Sequence, residues 1–210
     1  MDEKSIIRAF QTINYMLIDR GTIKEKDRKQ ISIPGNENES RPMIFHETIT
    51  YKNEKDEQKY SYVIFYLNNK FAIKYMETFL EPRPNEDKFS PKSDEHVIFV
   101  YKDKFTTVNE KNLKKILQFK KFEMFCIKNI LFNITKHELV PKHELVETEE
   151  AKKIYSRYSI KDNQKILKLP LLITTSDSVA KYYDFKPTNL IKITRPSSSV
   201  GESVSYRYCV

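Results

Sequence analysis

The chain has 210 residues, 37 Lys and Arg against 29 Asp and Glu, and a formal net charge of +8. It carries 39% hydrophobic residues, enough for a packed core and too many for a disordered tail. Its 3 Gly are isolated at Gly21, Gly35 and Gly201, which excludes the clustered-glycine phosphate loops, the dinucleotide fingerprint and the Gly-x-Ser-x-Gly elbow. Two Cys, Cys126 and Cys209, cannot build a disulfide framework or a Cys-rich zinc site. No apolar run approaches the roughly 20 residues of a membrane span, and the first ten residues lack a signal-peptide core. The expectation is a soluble intracellular protein without a membrane partner, whose basic surplus suits an acidic partner such as nucleic acid.

Ile6, Phe10, Ile13 and Leu17 make one apolar stripe and predict a first helix, stopped at Arg20 and Gly21. Residues 22 to 42 read as a loop with at most a short strand at Ile31 to Ile33. Strands are predicted at Thr48 to Lys52 and Tyr60 to Leu67, joined by a charged turn. Ala72 to Leu80 reads as a short helix before Pro82 and Pro84. Val97 to Tyr101 has the continuous apolar character of a buried strand. Asn109 is the expected cap of a helix bearing Leu113, Ile116 and Leu117, followed by a strand at Phe122 to Ile127.

The character changes near residues 133 to 138. Thr148 is the expected cap of a helix carrying Ala151, Ile154, Tyr155 and Tyr158. Lys161 to Pro170 reads as a connector and Asp177 to Tyr182 as a short helix. A closing hairpin pairs Leu190 to Arg195 with Val204 to Val210. Its last strand places Val204, Tyr206, Tyr208 and Val210 on one face, and Ser205, Arg207 and Cys209 on the other.

The fold class is therefore α/β, with α+β character. Residues 1–135 form an N-terminal α/β domain with a mixed sheet. Residues 136–210 form a small α+β domain ending in a β-hairpin.

No catalytic constellation emerges. His137 and Glu138 invite a zinc-protease reading, but Pro141 stands where the second His is required. His137 and His143 lie six apart across that proline, a spacing with no fixed ligand geometry. Glu57-Gln58-Lys59 and Glu86-Asp87-Lys88 match the Glu-x-Lys of Mg²⁺-dependent nucleases, though neither has an acidic partner on a neighbouring strand. Ser197 to Ser199 have no His near them in sequence. Cys126, between Phe125 and Ile127, reads as a small hydrophobe. No cofactor or metal is expected. Lys102, Lys104, Lys111, Lys114, Lys115, Lys120 and Lys121 gather around the Val97 to Tyr101 strand and the next helix. They suit either phosphate contact or a solvated face.

The string His137 to His143, HELVPKH, resembles the hallmark of a small archaeal RNA polymerase subunit and of its eukaryotic counterpart, the small subunit shared by nuclear RNA polymerases I, II and III. Glu149 to Lys161, Asp177 to Ala180, Lys192 to Ser197, Gly201, Tyr206-Arg207 and Val210 continue the resemblance over residues 133 to 210. Arg8 to Thr12, Met16 to Gly21 and Val97 to Tyr101 resemble the eukaryotic version only, because archaeal members lack this domain. Ser178 replaces the family's usual Pro, Asp184 and Thr188 stand where it usually has Gly, and Pro196 replaces a Lys. These departures put the turns at 184 and 188 in doubt, since Gly adopts positive φ cheaply. With the abundant Lys and Asn, they mark a divergent member. A large cytoplasmic DNA virus is one source that fits.

The resemblance implies a non-catalytic polymerase subunit. Its C-terminal domain would dock on the largest subunit through His137, Leu139, Val140, Pro141, His143, Arg195, Tyr206 and Arg207. Its N-terminal domain would form part of the lower jaw, with Lys102, Lys104 and Lys111 near downstream duplex DNA. The alternatives are an Mg²⁺-dependent nuclease and a free-standing DNA-binding protein. A cellular member would work in the nucleus, a viral one in the host cytoplasm or virion. Residues 1 to 136 hold 25 basic and 20 acidic side chains, and residues 137 to 210 hold 12 and 9. Neither part carries a dense basic block, which fits shallow DNA contact inside a larger machine.

Overall fold

The computed structural model describes residues 3–31, 44–68, 72–80, 96–102, 105–117, 121–199 and 201–210. They divide into two compact units, Met1–Phe132 and Asn133–Val210. Each contains helices and one four-stranded mixed sheet, so the α+β class holds. The expected strand at Ile31 to Ile33 runs outside the described residues after Ile31. Lys104, Lys120 and Glu86-Asp87-Lys88 also lie outside them.

In the first unit, helix α1 (Glu3–Asp19) buries Ile6, Ala9, Phe10, Ile13, Met16 and Leu17, as its stripe predicts. It ends in a glycine cap. Gly21 takes φ +69°, its N–H donates to Ile18 O, and the Thr22 N–H donates to Leu17 O. Asn14 is also fully buried. Its amide bonds both the N–H and C=O of Lys29, mimicking a strand partner for the chain that follows the helix.

The sheet order is β1-β2-β3-β4: β1 (Ile44–Lys52), β2 (Gln58–Tyr66), β3 (His96–Tyr101) and β4 (Lys121–Cys126). β1 and β2 form an antiparallel hairpin, whereas β2, β3 and β4 run parallel. β1 starts four residues before the expected Thr48, because Ile44 and Phe45 find partners in Tyr66 and Phe65. β4 ends at Cys126, and Ile127 opens a 3-10 turn. Between these strands come α2 (Ile73–Leu80) and α3 (Thr107–Leu117). The cap of α3 is Thr106 rather than Asn109: its Oγ1 accepts from the Asn109 N–H at 3.2 Å.

Strand alternation gives the sheet two buried faces. Ile64, Tyr66, Val97 and Phe99 pack with Met76 of α2 and Leu113 of α3. On the opposite face Phe65 meets Phe10 of α1, with ring centroids 6.3 Å apart. Burial on both sides explains why His96 to Val100 form one unbroken buried run.

In the second unit the order is β5-β7-β8-β6: β5 (Lys142–Leu145), β6 (Leu171–Leu172), β7 (Leu190–Ser197) and β8 (Gly201–Cys209). The β7–β8 hairpin matches the expected closing hairpin. β5 pairs antiparallel with β7, and the two-residue β6 pairs parallel with β8. Helices α4 (Thr148–Arg157) and α6 (Ser178–Tyr183) flank a single turn, α5 (Lys165–Lys168). Thr148 is the first helical residue and Glu147 occupies the cap position, one residue earlier than predicted. Asp177 caps α6 as a side chain, accepting from Val179 N and Ala180 N at 2.9 and 2.8 Å. This sheet too has a small core on each face. Ile191, Ile193 and Cys209 pack with Leu172, Ala180 and Phe185, while Leu190 packs with Val146, Ala151 and Ile154. Burial pushes the Cys209 thiol up to about 11, consistent with a packed, inert side chain.

Asp184 and Thr188 keep the positive φ of a glycine position, at +56° and +76°. Asp tolerates this region through its short polar side chain, whereas Thr is β-branched and strained there. Thr188→Gly is therefore expected to stabilise the protein by roughly 0.5–1 kcal/mol net of glycine's extra unfolded-state entropy. A higher urea midpoint at unchanged slope checks this, and a lower midpoint refutes it.

Candidate functional site

The HELVPKH segment runs from a tight turn into β5. The Val140 N–H donates to His137 O at 2.9 Å, and the Leu139 N–H donates to His137 Nδ1 at 3.2 Å. His143 does the reverse: its Nδ1–H donates to Pro141 O at 2.7 Å. Nδ1 thus accepts in His137 and donates in His143, so the two rings are oriented by local backbone rather than by a shared ligand. The turn projects Leu139, 84% exposed.

β-pairing decides which candidate residues meet. His143 lies opposite Ile193, which lies opposite Ser205. Arg195 follows the Lys142–Thr194 pair, next to the chain at Pro141. Directly paired residues share a face, so His143, Arg195 and Arg207 fall on one side of the sheet. Tyr206 pairs with Lys192 and falls on the other, packed against the Val146, Ala151, Ile154 and Leu190 core. His137, Leu139, Val140 and Pro141 lie in the turn at the start of β5.

Elsewhere, Lys111 is exposed on α3 and Lys114 pairs with Glu110 at 2.6 Å. Lys102 is half-buried, and its carbonyl accepts from the Cys126 thiol at 3.7 Å. Glu57 serves the β1–β2 turn. Its N–H donates to Asn53 Oδ1 at 2.8 Å, and its carboxylate accepts from Asn53 Nδ2 at 3.0 Å. Among the described residues, no group of three or more His, Cys, Asp and Glu is arranged to hold a metal ion. Among them, no helix is long and apolar enough to cross a membrane.

The most elaborate polar cluster lies outside the residues that the sequence singles out. Arg20 makes two parallel bonds of 2.8 Å to Glu123 in β4. His96 of β3 donates from Nε2 to Glu123 Oε1 at 2.7 Å, and the Ser61 hydroxyl of β2 lies 3.3 Å from His96 Nδ1. Neutral His96 satisfies the whole chain: Nδ1 accepts from Ser61 and Nε2–H donates to Glu123. Burial would raise the Glu123 carboxyl, but hydrogen bonds and charge from His96 and Arg20 outweigh it and hold it well below the usual range. Burial dominates for His96 and lowers its pKa, with the bond to Glu123 opposing. The order Ser-His-Glu resembles a hydrolase relay, but Ser61 is fully buried and meets no substrate. This cluster ties the end of α1 across three strands. Its signal was present: Glu123 lies two residues before buried Phe125 in β4 and shares its face, which puts an acid on an inward face.

Known proteins match the chain both over its whole length and over its second unit alone. The model of the RNA polymerase Rpb5 C-terminal domain matches residues 132–209. The DNA-directed RNA polymerases I, II and III subunit rpabc1 of Dictyostelium discoideum is 30% identical over 213 residues, covering 100% of this chain and 99% of that protein. RPABC1 of Caenorhabditis elegans is 27% identical over 97% of this chain and 94% of its own length. The polymerase subunit Rpo5 of Sulfolobus acidocaldarius is 50% identical over 78 residues, 37% of this chain and 87% of its own.

Proposed function

Since the chain belongs to the Rpb5 family of DNA-directed RNA polymerase subunits, we propose that it is a non-catalytic subunit of a multisubunit DNA-dependent RNA polymerase. The observation that carries this is the full-length likeness to a eukaryotic shared subunit, with the archaeal likeness confined to 37% of the chain. In this reading the Asn133–Val210 unit is the assembly domain and docks on the largest subunit. The Met1–Phe132 unit is the lower-jaw domain, with Lys102, Lys104 and Lys111 near downstream DNA. The Mg²⁺ and nucleotide chemistry belongs to other subunits. A cellular member works in the nucleus, and a viral one in the host cytoplasm or virion.

Leu139 supports the docking role. A large apolar side chain held in solvent by backbone bonds to His137 is what an interface anchor needs before its partner arrives. His143, Arg195 and Arg207 supply polar contacts on one face of the adjoining sheet. A tagged chain is expected to recover the large polymerase subunits from its native cell. Leu139→Asp is expected to lower that recovery about tenfold or more while leaving the melting curve unchanged. Recovery of the tagged chain without any polymerase subunit refutes the assignment.

A further inference from the structure

The outer edge of β8 is open for most of its length. The Cys209 N–H donates to Asn189 O, toward β7, and the Tyr208 and Val210 N–H groups donate outward to Pro170 O and Leu172 O at 2.9 and 3.0 Å. Alternation then aims the N–H and C=O groups of Tyr206, Val204 and Glu202 outward as well. β6 covers only Tyr208 and Cys209, because the chain before Pro170 turns away into α5. Among the described residues, no backbone group pairs with the edge of β8 from Glu202 to Tyr206. Glu202 to Ser205 are exposed.

Beside this edge lies an open groove of about 440 Å³, lined by Tyr158, Ile160, Leu169, Pro170, Val204 and Tyr206. Lys168 stands at its Pro170 end, and Glu202 lies at the far end of the edge. The other edge of the sheet is different. β5 carries a Lys142–Glu144 ion pair, the charged blunting that discourages strand pairing. The open edge of β8 carries one charge, Glu202, followed by Ser203, Val204 and Ser205.

We infer that β8 accepts an extended segment of another polymerase subunit as a fifth strand, pairing with Glu202 to Tyr206 where β6 leaves off. Three outward donor–acceptor sets at a spacing of about 7 Å select extended backbone over a helix or a small molecule. The groove selects a large apolar side chain in the middle of that segment. Charge complementarity selects an acidic side chain toward Lys168 and a basic one toward Glu202. This inference rests on the polymerase-subunit reading and names how one partner is held.

Val204→Pro tests it. Its outward N–H takes no part in the β7 ladder, so proline removes the central edge donor and leaves the hairpin bonds intact. In the tagged full chain, Val204→Pro is expected to lower recovery of polymerase subunits about tenfold, and Val204→Thr to retain it. A photoreactive phenylalanine at position 204 of the otherwise unchanged chain supplies the second measurement. It is expected to cross-link to an extended segment of another polymerase subunit. Full recovery by folded Val204→Pro overturns the edge site alone, as does a cross-link only to a second copy of this chain or to nothing. Failure of the unmodified chain to recover any polymerase subunit overturns the subunit reading and the edge site together.

Discussion

Arg20→Ala is expected to destabilise the N-terminal unit by about 3–5 kcal/mol, because it strands the buried Glu123 carboxylate with His96 alone. The Arg20 side chain is 4% exposed and the Glu123 side chain 15%, so water replaces the lost guanidinium poorly. Arg20→Lys keeps a charge but not the two parallel bonds, and is expected to cost less. Adding Glu123→Gln to Arg20→Ala is expected to recover part of the loss, since the neutral amide needs no counter-charge. Urea titration with hydrogen exchange in β2, β3 and β4 checks all three. A cost below about 1 kcal/mol for Arg20→Ala would show that the pair is solvated and the clasp unimportant.

The same cluster sets the acid limit. Both His96 and Glu123 are depressed in the folded state, so the unfolded chain binds protons first as pH falls. The stabilisation is whole above the ordinary His value of 6.5 and begins to fall below it, as unfolded-state imidazole charges. It falls again below the ordinary Glu value of 4.5. His96→Asn is expected to shrink the first decline to the share of His46, whose pKa burial also lowers, and to keep the second. A flat stability profile between pH 7 and pH 5 in the unchanged chain would contradict neutral burial of His96.

Elements whose own pattern suffices were legible: the α1 stripe, the Val97 to Tyr101 run and the closing hairpin all formed where periodicity and turn chemistry put them. The lapses share one cause. β5 is a charged tetrapeptide, and β6 is two leucines; each becomes a strand because β7 or β8 offers an edge. Such strands have no internal signature. The buried polar groups escape the sequence for a related reason. Asn14 neighbours an apolar stripe and Arg20 a helix stop, yet each is satisfied by a residue distant in the chain. For the candidate site, HELVPKH was legible as a string. Alternation also separated Tyr206 from Arg207, as the pairing has them; which of the two shares a face with His143 and Arg195 was not legible, because that depends on the register with β7 and β5. The two departures at 184 and 188 show the converse, since backbone geometry outlasts the loss of the glycines that make it easy.

Phe99→Ala is expected to match the Arg20 effect from the other side of the same sheet, at about 3–5 kcal/mol. Phe99 sits fully buried in β3, between β2 and β4. Its ring lies 6.0 Å from Tyr66, 5.7 Å from Phe105 and 6.3 Å from Phe122, centroid to centroid. Rings anchored on two paired strands cannot move together to fill the gap, so the cavity stays open and the cost stays high. Phe99→Leu retains most of the volume and is expected to cost under about 1.5 kcal/mol. The double variant with Arg20→Ala then asks whether β3 transmits strain between its faces. His96, three residues before Phe99, belongs to the Arg20 and Glu123 cluster, so both changes act through one strand. Additive losses within about 0.5 kcal/mol would make the two faces independent. A larger combined loss would mean that the buried clasp and the aromatic core hold β3 cooperatively, so that weakening either face loosens the strand for both.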